Sequence, residues 1–538
     1  MKKIFYISAM SVILILGSCK KTIDEQPISE GTLANFLRTS LEADAAVAGM
    51  YGEFQQTMMG NGQYQNRMMW WGESRSDNWE RREAYSVNAT DEIQFNGLTE
   101  LNTWADWSWL YSTISRANLL IKKLPEVKNY SPVGSIGSLT PAREATLMAQ
   151  SYAMRALCYF WIVRVWGDAP LRTEPYEKLG DEAEQARDPQ AKILDQCIAD
   201  LTKAYDLTVK AQTPNVFYIG EGAICAMMAD IYMWKKDYAN AAIWFQRLFA
   251  SRAPTGKVFN ASGATALGAG GAIGDLQPGL TWNAQFVTPA SSVESIFYIH
   301  WDFLANGCAC MAGTSRTDNE PYIRMATQLW TEWPTKSTQL YGTTTATVDL
   351  RVKQTYNITS ATNQPIRDRS VWKLYAGAYV APTATAGYNF TPTIYTGSLP
   401  GTRETNVYLP VYRLSGMYLL YAEALNQLGD IANAVKYLNL IKTRAGVPNV
   451  LASSYTKSTL ESEILQERQY ELFGEGVRWF DLVRTDKVQE IMDPILTARQ
   501  VASGIPVTGF GTDKRRYFWP LANRVLYSNR LLVQNQPY

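Results

Sequence analysis

Two stretches decide the fold: ADIYMWKKDYANA at 229–241 and AEALNQLGDIANA at 422–434. Ala229-Asp230 aligns with Ala422-Glu423, and Asp237-Tyr238-Ala239-Asn240-Ala241 aligns with Asp430-Ile431-Ala432-Asn433-Ala434. In both, a helix bearing a small Ala meets a tight turn, and Ala-x-Ala then opens a second helix. Small residues at these places let two antiparallel helices approach closely. That is the logic of the tetratricopeptide helix pair, whose apolar face must be covered by neighbouring pairs. Residues 221–250 and 415–445 are therefore expected to be two such hairpins, with more supplied by helices between about 100 and 207.

Upstream, REATLMAQSYAMRALCYFWIVRVW at 143–166 is apolar around most of its circumference, so it reads as a buried helix ended by Gly167-Asp168-Ala169-Pro170. Asp188-Pro189 reads as an N-cap with a first-turn proline. Ile193, Cys197, Ile198, Leu201 and Tyr205 then recur at helical spacing. Residues 251–405 differ: they are rich in Gly, Thr, Ser, Ala and Pro, with short β-like runs such as Ser295–Ile299. A segment this long between helical repeats is expected to be a loop-dominated insertion with some strands, and long ordered loops often carry binding function. The GAGGAIG run at 268–274 lacks the Lys-Ser/Thr of a phosphate loop and is read as plain loop. Ser458 and Glu461 suggest a capping box for a helix reaching about Phe473.

The N-terminus reads as an address. Lys2 and Lys3 precede an apolar run from Ile4 to Leu16, and Leu16-Gly17-Ser18-Cys19 follows. This is the pattern of a bacterial lipoprotein signal over residues 1–18, with Cys19 acylated as the new N-terminus. Residues 19–40 are a polar tether. Cys158, Cys197 and Cys225 fall in helical patterns as small core residues. Cys308-Ala309-Cys310 has no second half for a zinc site, and the disulfide state of these cysteines stays open.

Composition narrows the function. The 538 residues are 46% hydrophobic, enough for a substantial core. With 51 Lys+Arg against 50 Asp+Glu, no general charge case exists for nucleic acid. A single histidine, His300, argues against His-based metal sites and His-dependent triads. It reads as an ordinary loop or strand residue. Removing residues 1–18 takes away Lys2 and Lys3 and no acid, so the mature chain stays near neutral.

Several segments resemble the SusD/RagB family of outer-membrane nutrient-binding lipoproteins. The most specific is ERQYELFGEGVRWFDLVR at 467–484. Tyr412-Arg413-Leu414 through Asn426 resembles that family's first C-terminal repeat helix, and Lys442-Thr443-Arg444-Ala445-Gly446 its next helix end. Residues 143–171 resemble its N-terminal helix pair. The final Gln534-Asn535-Gln536-Pro537-Tyr538 is similar to its usual ending, with an extra Gln and no terminal Gly. Phe518-Trp519-Pro520-Leu521-Ala522 stands where a P-I-P motif is usual. The resemblance implies a mainly α, SusD-like scaffold of tetratricopeptide-like helix pairs. Its parts would be an N-terminal helical region (41–250), a loop-rich insertion carrying the ligand site (251–405) and a C-terminal region (406–538). It also implies a lid on a SusC-like TonB-dependent outer-membrane transporter, lipid-anchored and facing the cell surface. Such a protein hands on a glycan or other nutrient without catalysis, cofactor or metal.

Glu467, Arg468, Glu471, Arg478, Asp481 and Arg484 could pass for an acid–base site, but they alternate in sign at helix-neighbour spacing, which favours structural ion pairs. Trp104, Trp107, Trp109, Trp161, Trp166, Trp234 and Trp244 read as core. The polar, Gly- and Ser-broken segment WWGESRSDNW at 70–79 does not. A sugar ring stacks its C–H face on an indole while its hydroxyls need Asn, Asp, Arg or Gln beside it. Trp71, Arg75, Asp77, Asn78 and Trp79, together with Trp282, Asn283, Trp301 and Asp302, supply that combination and are the expected ligand-binding residues. Two other readings stay open at this point: a tetratricopeptide-type scaffold that binds peptide or protein, and a secreted glycosidase.

Overall fold

The computed structural model describes residues 37–59, 66–81, 88–177, 183–260, 266–301, 323–341, 349–356, 371–374, 377–380, 389–392 and 407–538. Cys19, Asp302, Cys308 and Cys310 lie outside them.

The chain is mainly helical. In order come α1 (Ser40–Met59), α2 (Arg67–Gly72), β1 (Trp79–Arg81), α3 (Asn88–Gln94), α4 (Ser108–Lys123), α5 (Pro141–Trp166), α6 (Gln190–Leu207), α7 (Glu221–Trp234) and α8 (Tyr238–Ala250). Then follow α9 (Ala284–Val287), β2 (Ser295–Trp301), β3 (Ile323–Met325), α10 (Thr327–Tyr341), α11 (Leu350–Thr355), β4 (Gly377–Val380), β5 (Asn389–Pro392) and β6 (Val407–Arg413). The chain closes with α12 (Leu414–Gln427), α13 (Ile431–Arg444), α14 (Lys457–Leu472), α15 (Arg478–Arg484), α16 (Val488–Ala502) and α17 (Asn523–Ser528).

The repeated motif makes two matching hairpins, α7–α8 and α12–α13. In the first, the Asp237 carboxylate accepts from the Asn240 N–H (3.2 Å) and from the Asn240 amide (2.7 Å). In the second, Asp430 does the same with Asn433 at the same two distances. The turn before each cap needs a left-handed residue. Gly429 fills it at φ 88°, while Lys236 fills it at φ 59°, a conformation unfavourable for a residue with a Cβ. The two hairpins pack together through α12 and α8, and α12 also packs on α14, so each pair covers its neighbour's apolar face.

Helix α5 is buried over most of its length and packs against α4 and α6. Thr140 caps it by accepting from the Arg143 N–H, and Gly167 ends it at φ 78°. Two caps differ from expectation. Asp188 does not cap α6; the Asp168 carboxylate accepts from the Gln190 N–H (2.8 Å), while Asp188 binds the Leu171 N–H and the Lys192 ammonium. Helix α14 starts from Thr456, which pairs with Thr459, and Glu461 instead accepts from Gln427 on α12. Trp104 and Trp107 precede α4 rather than lie on a helix, yet both are buried. Cys158, Cys197 and Cys225 are buried free thiols.

Among the described residues, the strands form three antiparallel pairs: β1 with β3, β2 with β6, and β4 with β5. The β2–β6 pair lies between the two halves of the helical scaffold and carries the site below. No helix among the described residues is long and apolar enough to cross a membrane, and no metal-ligating cluster occurs among them.

Candidate functional site

The expected ligand-binding residues that the structure describes are buried, except Asp77, which is half-buried. Trp71 is fully buried; its indole N–H donates to the Trp104 carbonyl (2.8 Å) and its ring meets Trp166 edge-on. Arg75 donates to the Tyr517 and Arg516 carbonyls and to Asn96, with its guanidinium over Trp479. Trp79 is 1% exposed and stacks on Phe473, with ring centroids 5.0 Å apart. Asn78 donates to Glu73 (2.5 Å) and accepts from Gln469. Asp77, half-buried, takes both Arg478 donors at 2.9 and 2.8 Å. Trp282 donates to Glu471, and Asn283 donates to the Lys373 carbonyl. Trp301 ends β2, fully buried, opposite Val407. Asp302 is outside the described residues.

As an open stacking platform this set fails on geometry, because an indole packed on both sides has no face left for a ring. The structure does bring several of these residues together. Asp77, Asn78, Trp79 and Trp282 all converge on α14 and the turn after it. Their polar atoms, read as sugar ligands, are the partners of Gln469, Arg478 and Glu471.

The signature segment supplies ion pairs, but mostly across elements. Arg468 grips Asp481 with two bonds of 2.9 Å, joining α14 to α15. Arg484 binds Asp481 within α15 and Glu423 on α12. Only the Asp481–Arg484 pair has helix-neighbour spacing.

Beneath β2–β6 lies a larger buried network. Glu471 binds Arg351 (2.9 Å), Arg413 (2.5 Å) and Arg444. Arg351 also holds Asp349 and Glu467. Arg413 holds Glu475, which takes Lys373, and Arg444 holds Glu294. Lys442 reaches Glu467 at 3.5 Å. In the interior five cations face five carboxylates, no side chain among them more than 6% exposed, and Lys442 also binds the partly exposed Glu463 at 2.8 Å. Balance is what makes such burial tolerable, since an unpaired interior charge is strongly destabilising. Burial alone would raise the Glu471 pKa; Arg444, Arg413 and Arg351 outweigh it and hold the carboxyl well below the usual range. Burial pushes the Lys373 ammonium down to about 8 against the pull of Glu475. The network ties the segment before β2, the start of α11, the end of α13 and α14 to Arg413, the last residue of β6. It thereby fixes the position of the whole strand pair.

The other end of that pair is aromatic. His300 and Tyr408 are register partners across β2–β6, and their rings stack at 5.0 Å and 13°. Phe217 joins them, 5.1 Å from His300 and 5.7 Å from Tyr408. Its segment, just before α7, is held by local and long-range bonds. Asn215 accepts from the Phe217 N–H, and the Val216 carbonyl accepts from the Tyr298 N–H on β2. The Tyr51 hydroxyl on α1 accepts from the Ile219 N–H (2.9 Å), and its ring meets Tyr218 edge-on at 4.9 Å. The Gln55 amide donates to the His300 carbonyl. Burial pushes the Tyr51 hydroxyl up, so it stays a neutral hydrogen-bonding group.

Beside this stack lies a cleft of about 390 Å³, lined among others by Tyr51, Gln55, Phe217, Tyr218 and His300, with Tyr408 backing His300 from outside its wall. Tyr218 is 39% exposed, and Phe217, His300 and Tyr408 are partly exposed. The size and the apolar walls with a few polar groups are those of a small-ligand site. Sequence reading missed it. The available signal was Pro214-Asn215-Val216-Phe217-Tyr218, two adjacent aromatics in a turn segment that cannot both turn inward.

Comparison with known proteins places this arrangement. A model of the SusD family matches residues 300–538, and one described as "Starch-binding associating with outer membrane" matches residues 25–233. SusD-like protein P38 of Formosa agariphila is 29% identical over the whole of both chains, and SusD-like protein P2 of the same organism is 22% identical, again over both chains entire. Among solved structures, a SusD superfamily protein from Bacteroides thetaiotaomicron superposes with a TM-score of 0.66 at 21% identity, covering 93% of this chain and 99% of that one. A laminarin-binding SusD-like protein superposes with a TM-score of 0.64 at 18% identity, covering 93% and 100%. These likenesses establish the shared fold.

Proposed function

The chain belongs to the SusD family, and on that premise we propose that it captures an oligo- or polysaccharide nutrient and hands it to a SusC-like TonB-dependent transporter in the outer membrane. In this reading Cys19 carries the lipid anchor, the tether holds the domain at the cell surface, and the transporter takes the ligand from it. Acyl chains contribute about 0.8 kcal/mol per buried methylene, so more than one chain keeps the protein at the membrane.

The observation that carries the reading is the Phe217–His300–Tyr408 stack with Tyr218 and Gln55 beside it. Aromatic faces suit the C–H face of a pyranose, and the Gln55 side chain and the Tyr218 hydroxyl suit its hydroxyls. None of the described residues lining the cleft is a carboxylate. The laminarin-binding relative supports a neutral glucan as the first ligand to try.

The test is titration calorimetry over a glycan panel with wild type, Phe217→Ala and Tyr218→Ala. Losing the buried contact of one aromatic ring is worth about 1.5–3 kcal/mol. Each variant should therefore bind its glycan roughly tenfold or more weakly while remaining folded. Undiminished affinity in both variants overturns the assignment.

A further inference from the structure

Beside the cleft runs a wider groove of about 930 Å³, bounded by α1, α5 and the segment leading into α7. The two share Ala48 and Tyr218 in their walls, so they lie side by side. The groove's charges are already answered. Asp44 pairs with Arg143 at 2.7 Å, and Glu221 accepts from the Ala211 N–H at the start of α7, where a negative charge is favoured. What remains is neutral and polar. Gln150 on α5 is 8% exposed, lines the groove, and its carbonyl oxygen has no hydrogen-bond partner among the described residues. A buried amide oxygen left unmatched is costly, and such groups normally have partners. Gln212, exposed on the opposite wall, offers a second amide.

We infer that this groove is a second subsite, adjoining the aromatic cleft, which holds further units of an extended, uncharged oligosaccharide, with a sugar hydroxyl donating to the Gln150 amide. This inference rests on the proposed function. It adds that the protein selects for chain length, the cleft stacking one unit and the groove holding the following ones. An anionic chain would gain nothing from walls in which Arg143 is already paired with Asp44 and the other charge is the Glu221 carboxylate.

The experiment measures affinity for matched disaccharides and hexasaccharides of β-1,3-, α-1,4- and β-1,4-glucan in wild type, Gln150→Leu, Gln212→Ala and Phe217→Ala. For at least one glucan, wild type should bind the hexasaccharide at least tenfold more tightly than the disaccharide. Gln150→Leu should remove most of that ratio while leaving disaccharide binding intact, and the surface change Gln212→Ala should reduce it without touching the fold. Phe217→Ala should weaken both lengths. Equal affinity for both lengths, or a ratio unchanged in both glutamine variants, overturns the groove and leaves the cleft standing. Full binding by Phe217→Ala with the ratio lost in the glutamine variants overturns the cleft and leaves the groove standing. Binding to none of the three glucans overturns both.

Discussion

Replacing Glu471 with Gln removes the one carboxylate shared by Arg351, Arg413 and Arg444. Three lost ion pairs taken separately would suggest a collapse of the fold. The structure says otherwise, because each guanidinium keeps another anion: Arg351 keeps Asp349 and Glu467, Arg413 keeps Glu475, and Arg444 keeps Glu294. One excess positive charge is left, spread over a connected cluster. Stripping one partner from a buried pair costs about 3–5 kcal/mol, and Gln preserves shape and one acceptor, so the expected loss is about 3 kcal/mol. Adding Arg444→Met to Glu471→Gln restores the balance of charge and should recover about 1–2 kcal/mol through coupling. Urea unfolding followed by tryptophan fluorescence measures both changes. The pH dependence adds a second readout. The folded Glu471 pKa lies well below its unfolded value, so its stabilisation is full above about pH 4.5 and fades as pH falls. The Gln variant should lose stability less steeply in acid. A Glu471→Gln protein within about 0.5 kcal/mol of wild type, with the same acid profile, would refute the argument that this network holds β6 in place.

Two further predictions concern the framework. Glu73 is buried and accepts from the Gly474 and Gly476 N–H groups and from Asn78; burial raises its pKa to about 7 despite those bonds. The folded protein thus holds a proton that the unfolded chain releases near pH 4.5, so this group's contribution to stability should fall as pH rises from about 4.5 to 7, by ~3 kcal/mol. Glu73→Gln should flatten that part of the pH–stability curve, and an unchanged slope would contradict it. Trp79→Ala should cost about 3–5 kcal/mol as a core truncation while the folded protein keeps its glycan affinity; a selective loss of binding at full stability would return Trp79 to the ligand site.

How much could be read from the sequence depended on range. The two hairpins were legible because Asp-x-Ala-Asn-Ala sets its own cap and turn within a few residues, whatever surrounds it. The ion pairing of residues 467–484 was legible in kind. Their partners were not: Arg478 answers to Asp77, and Arg484 answers to Glu423, far away in the chain. The same distance misled the reading of the loop tryptophans. Trp79 flanked by Asp77 and Asn78 has the local composition of a sugar platform, and only the docking of Phe473 and Gln469 against it makes it core. The cleft was hidden for the converse reason. Phe217, His300 and Tyr408 come from three separate segments, and the register of β2 on β6 alone makes two of them neighbours.

The central claim is that glycan is held on the Phe217–His300–Tyr408 stack, and the composition offers an unusually direct probe. His300 is the chain's single histidine, so in untagged protein labelled with ¹³C-histidine the imidazole resonances report on that stack alone. Titrating the best-binding oligosaccharide from the panel should move them in step with the calorimetric binding curve, through altered ring currents and packing. Saturable binding that leaves the His300 resonances in place would contradict the account.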